Sequence, residues 1–208
     1  MSPPRFPARG LYAITDGPRA DLLDASAQAL AGGARVLQYR DKTTDATRRH
    51  AEALALKRLC DARAVPLIIN DDVALAAAVG AAGVHLGRDD GDVAAARAAL
   101  GEDAIIGVSC YDSLALAEAA VEAGADYVAF GAFFPSPTKP NAVRASLDLL
   151  RRSATLGVPR VAIGGITPDN APSLVEAGAD FFAVISAVFA ATDTRAAAQC
   201  FARLYPSD

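Results

Sequence analysis

Short apolar runs recur along the whole chain, and each is followed by a segment with helical spacing and a polar face. The runs are rich in β-branched and aromatic residues and are mostly apolar throughout, as expected for parallel strands buried on both faces. Eight of them predict strands, at Leu11–Thr15, Arg35–Tyr39, Pro66–Asn70, Val84–Gly87, Ile105–Ser109, Tyr127–Gly131, Arg160–Gly164 and Phe181–Ser186. The segments between them predict helices, among them Asp45–Ala62, Asp72–Val79, Val93–Leu100, Ser113–Glu122, Leu147–Ala154 and Pro168–Glu176.

A repeated junction connects helix to strand. At each junction a Gly-Ala pair and one further residue precede a predicted strand. The glycines are Gly33, Gly80, Gly124 and Gly178, and the last two lie within identical EAGAD strings. Glycine ends a helix readily because it adopts the left-handed conformation. Eight such units predict an α/β fold, a (β/α)8 TIM barrel in a single compact domain over residues 1–208, with a flexible N-terminal segment at 1–9. The alternative, an open doubly wound sheet, is disfavoured because no glycine-rich turn follows the first strand.

Composition and charge indicate a globular protein and argue against nucleic acid as its main partner. The 208 residues are 52% hydrophobic and 21% charged, which excludes disorder, and a net charge of −4 argues against nucleic acid as the main partner. Three widely spaced cysteines form neither a disulfide framework nor a zinc site. No signal peptide or membrane span is recognisable. We therefore expect a cytoplasmic protein without membrane or nucleic-acid partners, and a homo-oligomer remains possible.

Acidic residues follow two neighbouring predicted strands. In a parallel barrel the loops after the strands share the face that carries the chemistry. Asp71 follows the third strand and Asp90 the fourth, and two such carboxylates suit Mg²⁺ together with substrate phosphates. The adjacent Asp72 and Asp89 are explained equally well as helix N-caps. With two histidines in the chain, a zinc or iron site is not expected, and His85 within the fourth strand favours a core role.

Positive and phosphate-binding features follow other strands. Arg40, Lys42 and Lys139 need an anionic partner if they converge on this face. The glycine pair at 164–165 offers bare backbone amides, which with the loop after the eighth strand make the usual phosphate site of a barrel. The segment Pro135–Pro140 is long enough to fold over a site as a lid. These features fit either two phosphorylated substrates or a single bisphosphate.

Seven strings follow one another along the chain: QYRDK (38–42), IINDDVALA (68–76), GVHLGRDD (83–90), GVSCY (107–111), DYVAFGAFFPSPTKP (126–140), VAIGGITPDN (161–170) and AVIS (183–186). With these strings the chain resembles the thiamine phosphate synthase family over nearly its full length, from LYAITD at 11–16 to VISAVF at 184–189. The resemblance implies a transferase that joins hydroxymethylpyrimidine diphosphate to hydroxyethylthiazole phosphate, giving thiamine phosphate and pyrophosphate. It also implies that pyrophosphate departs first and that the thiazole nitrogen then captures the pyrimidine cation.

The resemblance also implies a role for individual residues of this chain. Mg²⁺, the expected cofactor, is assigned to Asp71 and Asp90. The residues that the resemblance implies for contact with the pyrimidine diphosphate are Gln38, Tyr39, Arg40, Asp41, Lys42, Asn70, Ser109 and Lys139. Within that set, the catalytic role is assigned to Lys139, Ser109, Arg40 and Lys42. The thiazole phosphate is assigned to Ser136, Thr138, Gly165, Ile185 and Ser186.

Two positions depart from the commoner family pattern, and two rival functions compete with the synthase. Ser136 stands where threonine is frequent and keeps the hydroxyl, whereas Arg88 stands where glutamine is frequent and can pair with Asp89 or add to pyrophosphate binding. One rival is a thiazole tautomerase of the related barrel group, disfavoured because that group lacks the Asn70–Asp71 pair and the second metal-side acid. The other rival is a non-catalytic phosphate-ligand sensor, which needs no complete set of metal and lid residues.

Overall fold

A computed structural model describes residues 6–88, 90–135 and 144–205 of the chain. Eight parallel strands pair in sequence order, and the eighth pairs with the first, so the sheet closes into a barrel. The predicted (β/α)8 barrel is therefore confirmed. The strands are β1 (Gly10–Ile14), β2 (Ala34–Tyr39), β3 (Leu67–Asn70), β4 (Gly83–Leu86), β5 (Ile105–Tyr111), β6 (Tyr127–Phe130), β7 (Arg160–Ile163) and β8 (Phe181–Val184).

Helices lie between the strands in the order expected for this fold. Several begin at an Asp or Ser whose side chain accepts a hydrogen bond from the amide three residues later, as Asp72 does from Leu75. None of the helices within the described residues is long and apolar enough to cross a membrane. The helices are α1 (Leu22–Ala31), α2 (Ala46–Asp61), α3 (Val73–Val79), α4 (Val93–Leu100), α5 (Leu114–Glu122), α6 (Leu147–Arg152), α7 (Ala171–Glu176), α8 (Ser186–Phe189) and α9 (Thr194–Ala202), with a 3₁₀ turn at Ser153–Leu156.

One helix starts later than its sequence pattern predicts. The helix expected from Pro168 begins at Ala171. Asn170 accepts a hydrogen bond from the Thr167 amide (2.9 Å) and donates its side-chain amide to the Gly165 carbonyl (3.0 Å). The residues after β7 therefore form a turn of their own before the helix, and this turn lies at the glycine pair.

The two EAGAD strings have the same structural role. Gly124 and Gly178 both have positive φ, at +94° and +95°, as the helix-ending role requires. The aspartate that ends each string then binds the amide at the start of the preceding strand: Asp126 accepts from Ile106 (2.7 Å) and Asp180 from Arg160 (2.9 Å). The repeat therefore marks equivalent helix-to-strand corners at the amino end of the barrel.

The core has two layers, one between the strands and the helices and one inside the barrel. The inner layer includes Tyr12, Tyr127 and Phe181, and the partly buried Phe6 packs beneath it. The Phe6 ring stacks on Tyr127 with centroids 4.3 Å apart and planes 6° apart. Residues 1–5 of the expected flexible segment lie outside the described residues, and that segment and the single-domain boundary stay predictions.

Candidate active site

Two carboxylates converge where β3 and β4 end. Asp71 follows β3 with a left-handed backbone, φ +63°, and its amide donates to the His85 carbonyl on β4 (2.9 Å). Burial, reinforced by the neighbouring Asp90 carboxyl, raises the pKa of the Asp71 carboxyl, and Lys42 and Asn70 oppose this rise. Asp90 accepts a hydrogen bond from the Gly87 amide (2.9 Å). Two acids held this close repel each other when ionised, so a cation between them is favourable.

Asp72, the neighbour of Asp71, has a different role. Its side chain caps α3 through the Leu75 amide and binds Arg49 at 2.9 Å. Asp72 is therefore an N-cap, one of the two readings of this position from sequence. Asp89 lies outside the described residues.

Cations and polar groups surround the acid pair. The Lys42 ammonium lies 3.6 Å from Asp71 Oδ2, and its side chain is 63% exposed, so it remains accessible to a ligand. Arg40 is half-buried and continues the inward-facing series of β2, while its amide binds Thr15 Oγ1 at 2.9 Å. Lys42, Asn70 and Asp71 line a cleft of about 380 Å³, together with Asp41, Thr43, Arg49 and Asp72.

Ser109 and Gln38 are connected through the barrel interior. Ser109 Oγ on β5 lies 2.9 Å from His85 Nε2, and His85 Nδ1 lies 2.9 Å from the Tyr127 hydroxyl. Gln38 Nε2 donates to the Tyr12 hydroxyl at 2.8 Å, and the hydroxyls of Tyr12 and Tyr127 are 2.8 Å apart. Burial lowers the pKa of His85 to about 4, so its imidazole is neutral at pH 7.

Two expected substrate contacts, Tyr39 and Asp41, have side chains directed away from the site. Tyr39 is on the outer face of β2, and its hydroxyl donates to Glu52 on α2 (2.7 Å). The Asp41 side chain is fully buried, accepting from Arg48 Nη1 at 2.6 Å and from the Thr43 amide at 2.8 Å. Burial opposes ionisation of Asp41, but these hydrogen bonds outweigh it and hold the pKa of Asp41 below its ordinary value. Their side chains hold β2 to α2, and of the two residues only Asp41 lines the cleft.

We predict that Asp41→Asn lowers the free energy of unfolding by about 2–4 kcal/mol at pH 7, because a buried carboxylate that binds Arg48 is lost. Since the folded-state pKa is lowered, this contribution is present above pH ~4 and disappears as the pH falls through the folded pKa. Chemical unfolding at pH 7 and at pH 3 measures both effects. Asp45→Asn is the control, because its carboxylate is 56% exposed and asparagine caps a helix equally well. An equal loss in both variants would contradict the structural role of Asp41.

The glycine pair after β7 packs against the segment after β6. Phe134 donates its amide to the Gly164 carbonyl (3.0 Å), and a Cβ added at Gly165 would lie 2.4 Å from the Pro135 carbonyl oxygen. Gly165 also has φ +63°, so the position favours glycine on both counts. Asn170, which sequence reasoning did not single out, binds the Gly165 carbonyl. Its position three residues after a Gly-Gly-Ile-Thr turn is the signal that was available.

The remaining expected residues differ in what is described. Ile185 is half-buried at the end of β8, and the exposed Ser186 begins α8 on the same face of the barrel. The three residues expected in a lid, Ser136, Thr138 and Lys139, lie outside the described residues. Arg88 stacks on a ring, with its guanidinium carbon 4.7 Å from the centroid of Tyr111, a residue with φ +55° at the end of β5.

Comparison with known proteins gives matches over nearly the whole chain. A family model described as thiamine monophosphate synthase matches residues 11–188. A thiamine-phosphate synthase of Chromobacterium violaceum is 59% identical over 202 residues, which cover 96% of this chain and 97% of that protein. One of Nitrosococcus oceani is 56% identical over 203 residues, covering 96% and 94%.

Solved structures show the same likeness. Thiamine phosphate pyrophosphorylase from Pyrococcus furiosus matches with a TM-score of 0.85 and 34% identity, covering 95% of both chains. A 3-hexulose-6-phosphate synthase matches with a TM-score of 0.71 at 17% identity, over 95% of this chain and all (100%) of that one. At that identity the second likeness concerns the fold alone.

Proposed function

The chain belongs to the thiamine monophosphate synthase family, and we propose that its strand-end site joins hydroxymethylpyrimidine diphosphate to hydroxyethylthiazole phosphate. The products are thiamine phosphate and pyrophosphate. The chain is accordingly an enzyme of thiamine biosynthesis, of the transferase class. The residues that do this work, the metal they hold and a cytoplasmic location are part of the proposal.

The convergence of Asp71 and Asp90 is the observation that carries this proposal. Burial and Asp90 raise the pKa of Asp71 although Lys42 opposes the rise, so the ionised pair is unfavourable and a cation bound between the two carboxylates would stabilise it. No group of three or more His, Cys, Asp or Glu residues suited to a metal occurs among the described residues. Two carboxylates completed by substrate phosphates are a typical Mg²⁺ arrangement, so the residues fit this ion. Bound there, Mg²⁺ would neutralise charge on the departing pyrophosphate.

Arg40 and Lys42 supply positive charge from the end of β2. The Lys42 ammonium forms an ion pair with Asp71 at 3.6 Å and is mostly exposed. Since an exposed ion pair contributes little free energy, Lys42 can move to a diphosphate at small cost in free energy. These cations stabilise the negative charge that grows as the carbon–oxygen bond breaks. Lys139 adds to them in the proposal. Asn70 and Ser109 hold the pyrimidine diphosphate beside the acid pair.

The thiazole phosphate is assigned to the opposite strand ends, β7 and β8. The amide of Gly165 and the turn at Ile185–Ser186 are backbone donors of the kind that bind phosphate in barrels. Asn170 and the packing of Gly164 on Phe134 hold this turn in one shape. The lid hydroxyls of Ser136 and Thr138 complete the thiazole side in the proposal. A fixed thiazole nitrogen next to the cation raises the chance of capture and excludes water.

A coupled assay tests this function and separates it from its rivals. We expect purified protein to release pyrophosphate only when both substrates and Mg²⁺ are present, with thiamine phosphate formed in equal amount. Omitting each component in turn, and adding a chelator, are the controls. Conversion of a thiazole without pyrophosphate release would instead support the tautomerase. Ligand binding without any turnover, from a folded sample, would support the sensor.

A further inference from the structure

A chain of hydrogen bonds crosses the barrel interior below the strand ends. It starts at Gln38 on β2, passes through Tyr12 on β1, Tyr127 on β6 and His85 on β4, and ends at Ser109 on β5. Its four donor–acceptor distances are 2.8, 2.8, 2.9 and 2.9 Å. The family resemblance assigns the two ends of this hydrogen-bond chain, Gln38 and Ser109, to the pyrimidine diphosphate, and the proposed function retains Ser109. The three middle residues have no role in the proposed function.

The part of this hydrogen-bond chain that runs from Gln38 through Tyr12 to Tyr127 is isolated from solvent. Tyr12, Tyr127 and Gln38 are 1%, 0% and 2% exposed. The Phe6 ring covers Tyr127 from below, and Gly107 leaves the space that the phenol needs, because a Cβ there would lie 2.3 Å from the phenol oxygen. Each of the two tyrosine hydroxyls can therefore donate only to its neighbour in the hydrogen-bond chain. A buried polar group without a partner is unfavourable, so the bonds must follow a consistent direction.

The Gln38 amide sets this direction. Gln38 Nε2 donates to Tyr12 Oη, so the Tyr12 proton is directed to Tyr127 Oη. The Tyr127 proton is then donated to His85 Nδ1. Because Nδ1 accepts this hydrogen bond, it carries no proton, so the ring proton lies on Nε2 and the Nε2–H group donates to Ser109 Oγ. In the opposite direction Tyr12 Oη would accept twice, and its own proton would be buried without an acceptor.

We propose that Tyr12, Tyr127 and His85 are positioning residues that hold the Ser109 hydroxyl as a hydrogen-bond donor toward the pyrimidine diphosphate. This inference rests on the proposed function. Because Ser109 Oγ accepts a hydrogen bond from His85 Nε2–H, the serine hydroxyl is free to donate a hydrogen bond to the ligand. Ring nitrogens and diphosphate oxygens accept such a bond, whereas the exocyclic amino group is itself a donor. The chain thereby selects which edge of the substrate faces β5.

The tautomer of His85 tests the direction without any assay of activity. The polypeptide contains two histidines, His85 and His50, and His50 is exposed on α2. Long-range ¹H–¹⁵N spectra of the ligand-free protein distinguish a protonated from an unprotonated ring nitrogen, and His50→Gln assigns the signals. We expect a proton on Nε2 of His85 and none on Nδ1. A proton on Nδ1 would overturn the proposed direction.

A double-mutant cycle tests the effect on the substrate. Tyr127→Phe removes the joining hydroxyl and keeps the ring that packs on Phe6. We expect kcat/KM for the pyrimidine diphosphate to fall about 5–20-fold and KM for the thiazole phosphate to stay within about twofold. Ser109→Ala combined with Tyr127→Phe should be no worse than Ser109→Ala alone, because both changes remove the same oriented donor.

Tyr205→Phe is the matched control. Its buried hydroxyl donates to the Ala179 carbonyl at 2.7 Å, outside this chain, so its loss is expected to leave kcat/KM for the pyrimidine diphosphate unchanged. Equal losses from Tyr127→Phe and Tyr205→Phe, or effects of Ser109→Ala and Tyr127→Phe that multiply, would show a merely structural role. Wild-type protein that releases no pyrophosphate would overturn the proposed function, whereas the ring-nitrogen spectrum decides the direction of the chain independently.

Discussion

Asp71→Asn is expected to remove nearly all turnover while making the folded protein more stable. One of the two carboxylates proposed to hold Mg²⁺ is lost, and a metal contributes several kcal/mol to the stabilisation of a charged transition state, so we expect kcat to fall roughly 100-fold or more. The fold should tolerate the change, because asparagine is similar in shape and also adopts the left-handed backbone found at φ +63°.

The gain in stability follows from the sign of the pKa shift. Burial and Asp90 raise the folded-state pKa of Asp71, so ionisation of Asp71 weakens the fold. The advantage of Asp71→Asn over the wild type should therefore be absent below the unfolded pKa of about 4, grow as the pH rises toward the folded pKa, and level off above the folded pKa. Chemical unfolding at pH 3.5 and pH 7, with Mg²⁺ removed by chelator, measures this difference.

Asp72→Asn is the neighbouring control for Asp71→Asn. Asparagine keeps the cap of α3, and the pair with Arg49 is partly exposed, so we expect a loss of under about 1 kcal/mol in stability and nearly full turnover. If the two variants lost activity equally, the assignment of the metal site to Asp71 would fail. A loss of stability in Asp71→Asn at pH 7 would contradict the conclusion that ionised Asp71 next to Asp90 weakens the fold.

Gly107→Ala is expected to destabilise the fold strongly, because the added methyl group would overlap a buried ring. A Cβ at this position would lie 1.9 Å from Cζ of Tyr127, a ring that is 0% exposed and already stacked on Phe6. The ring has no free space to enter, so either it or β5 must shift. Overpacking of this kind costs about 3 kcal/mol. We also expect weaker use of the pyrimidine diphosphate, because Tyr127 positions His85 in the proposal.

Gly80→Ala separates steric overlap from the loss of a glycine. Gly80 has φ +63° at the end of α3, and no atom lies within 4 Å of an added Cβ. Its replacement should cost only about 1–2 kcal/mol from the left-handed backbone, with turnover unchanged. Thermal and chemical unfolding of both variants, with substrate kinetics, provide the comparison. Similar losses in the two variants would contradict the tight contact between Gly107 and Tyr127.

Much of the barrel could be predicted from its periodicity. Strand bounds differ from the predicted ones by one or two residues, and the capping aspartates and serines mark most helix starts correctly. The predicted start of α7 was wrong by three residues, because Asn170 binds the Thr167 amide and residues 167–170 form a turn instead of the first turn of the helix. Local hydrogen bonding of this kind depends on the backbone shape of the whole turn.

That the candidate site residues share one end of the barrel could be predicted from the sequence, but the direction of each side chain could not. Asp71, Asp90 and Lys42 could be expected together because all follow strands whose carboxyl ends share one face. The direction of Tyr39 and Asp41 could not be predicted. In β2 apolar residues lie on both faces, with Val36 inside the barrel and Leu37 outside it, so the sequence pattern does not distinguish the inner face from the outer one. The structure turns Tyr39 toward Glu52 and Asp41 toward Arg48.

By itself, the sequence determined the number and order of the strand–helix units, the face that carries the polar residues and the family that its motifs resemble. These properties depend on local periodicity, capping and the shared direction of parallel strands. Only the tertiary structure decided that Gln38, Tyr12, Tyr127, His85 and Ser109 form one chain across the barrel. Those residues come from five different strands, and their contacts depend on the stagger with which the barrel closes, which no local pattern records.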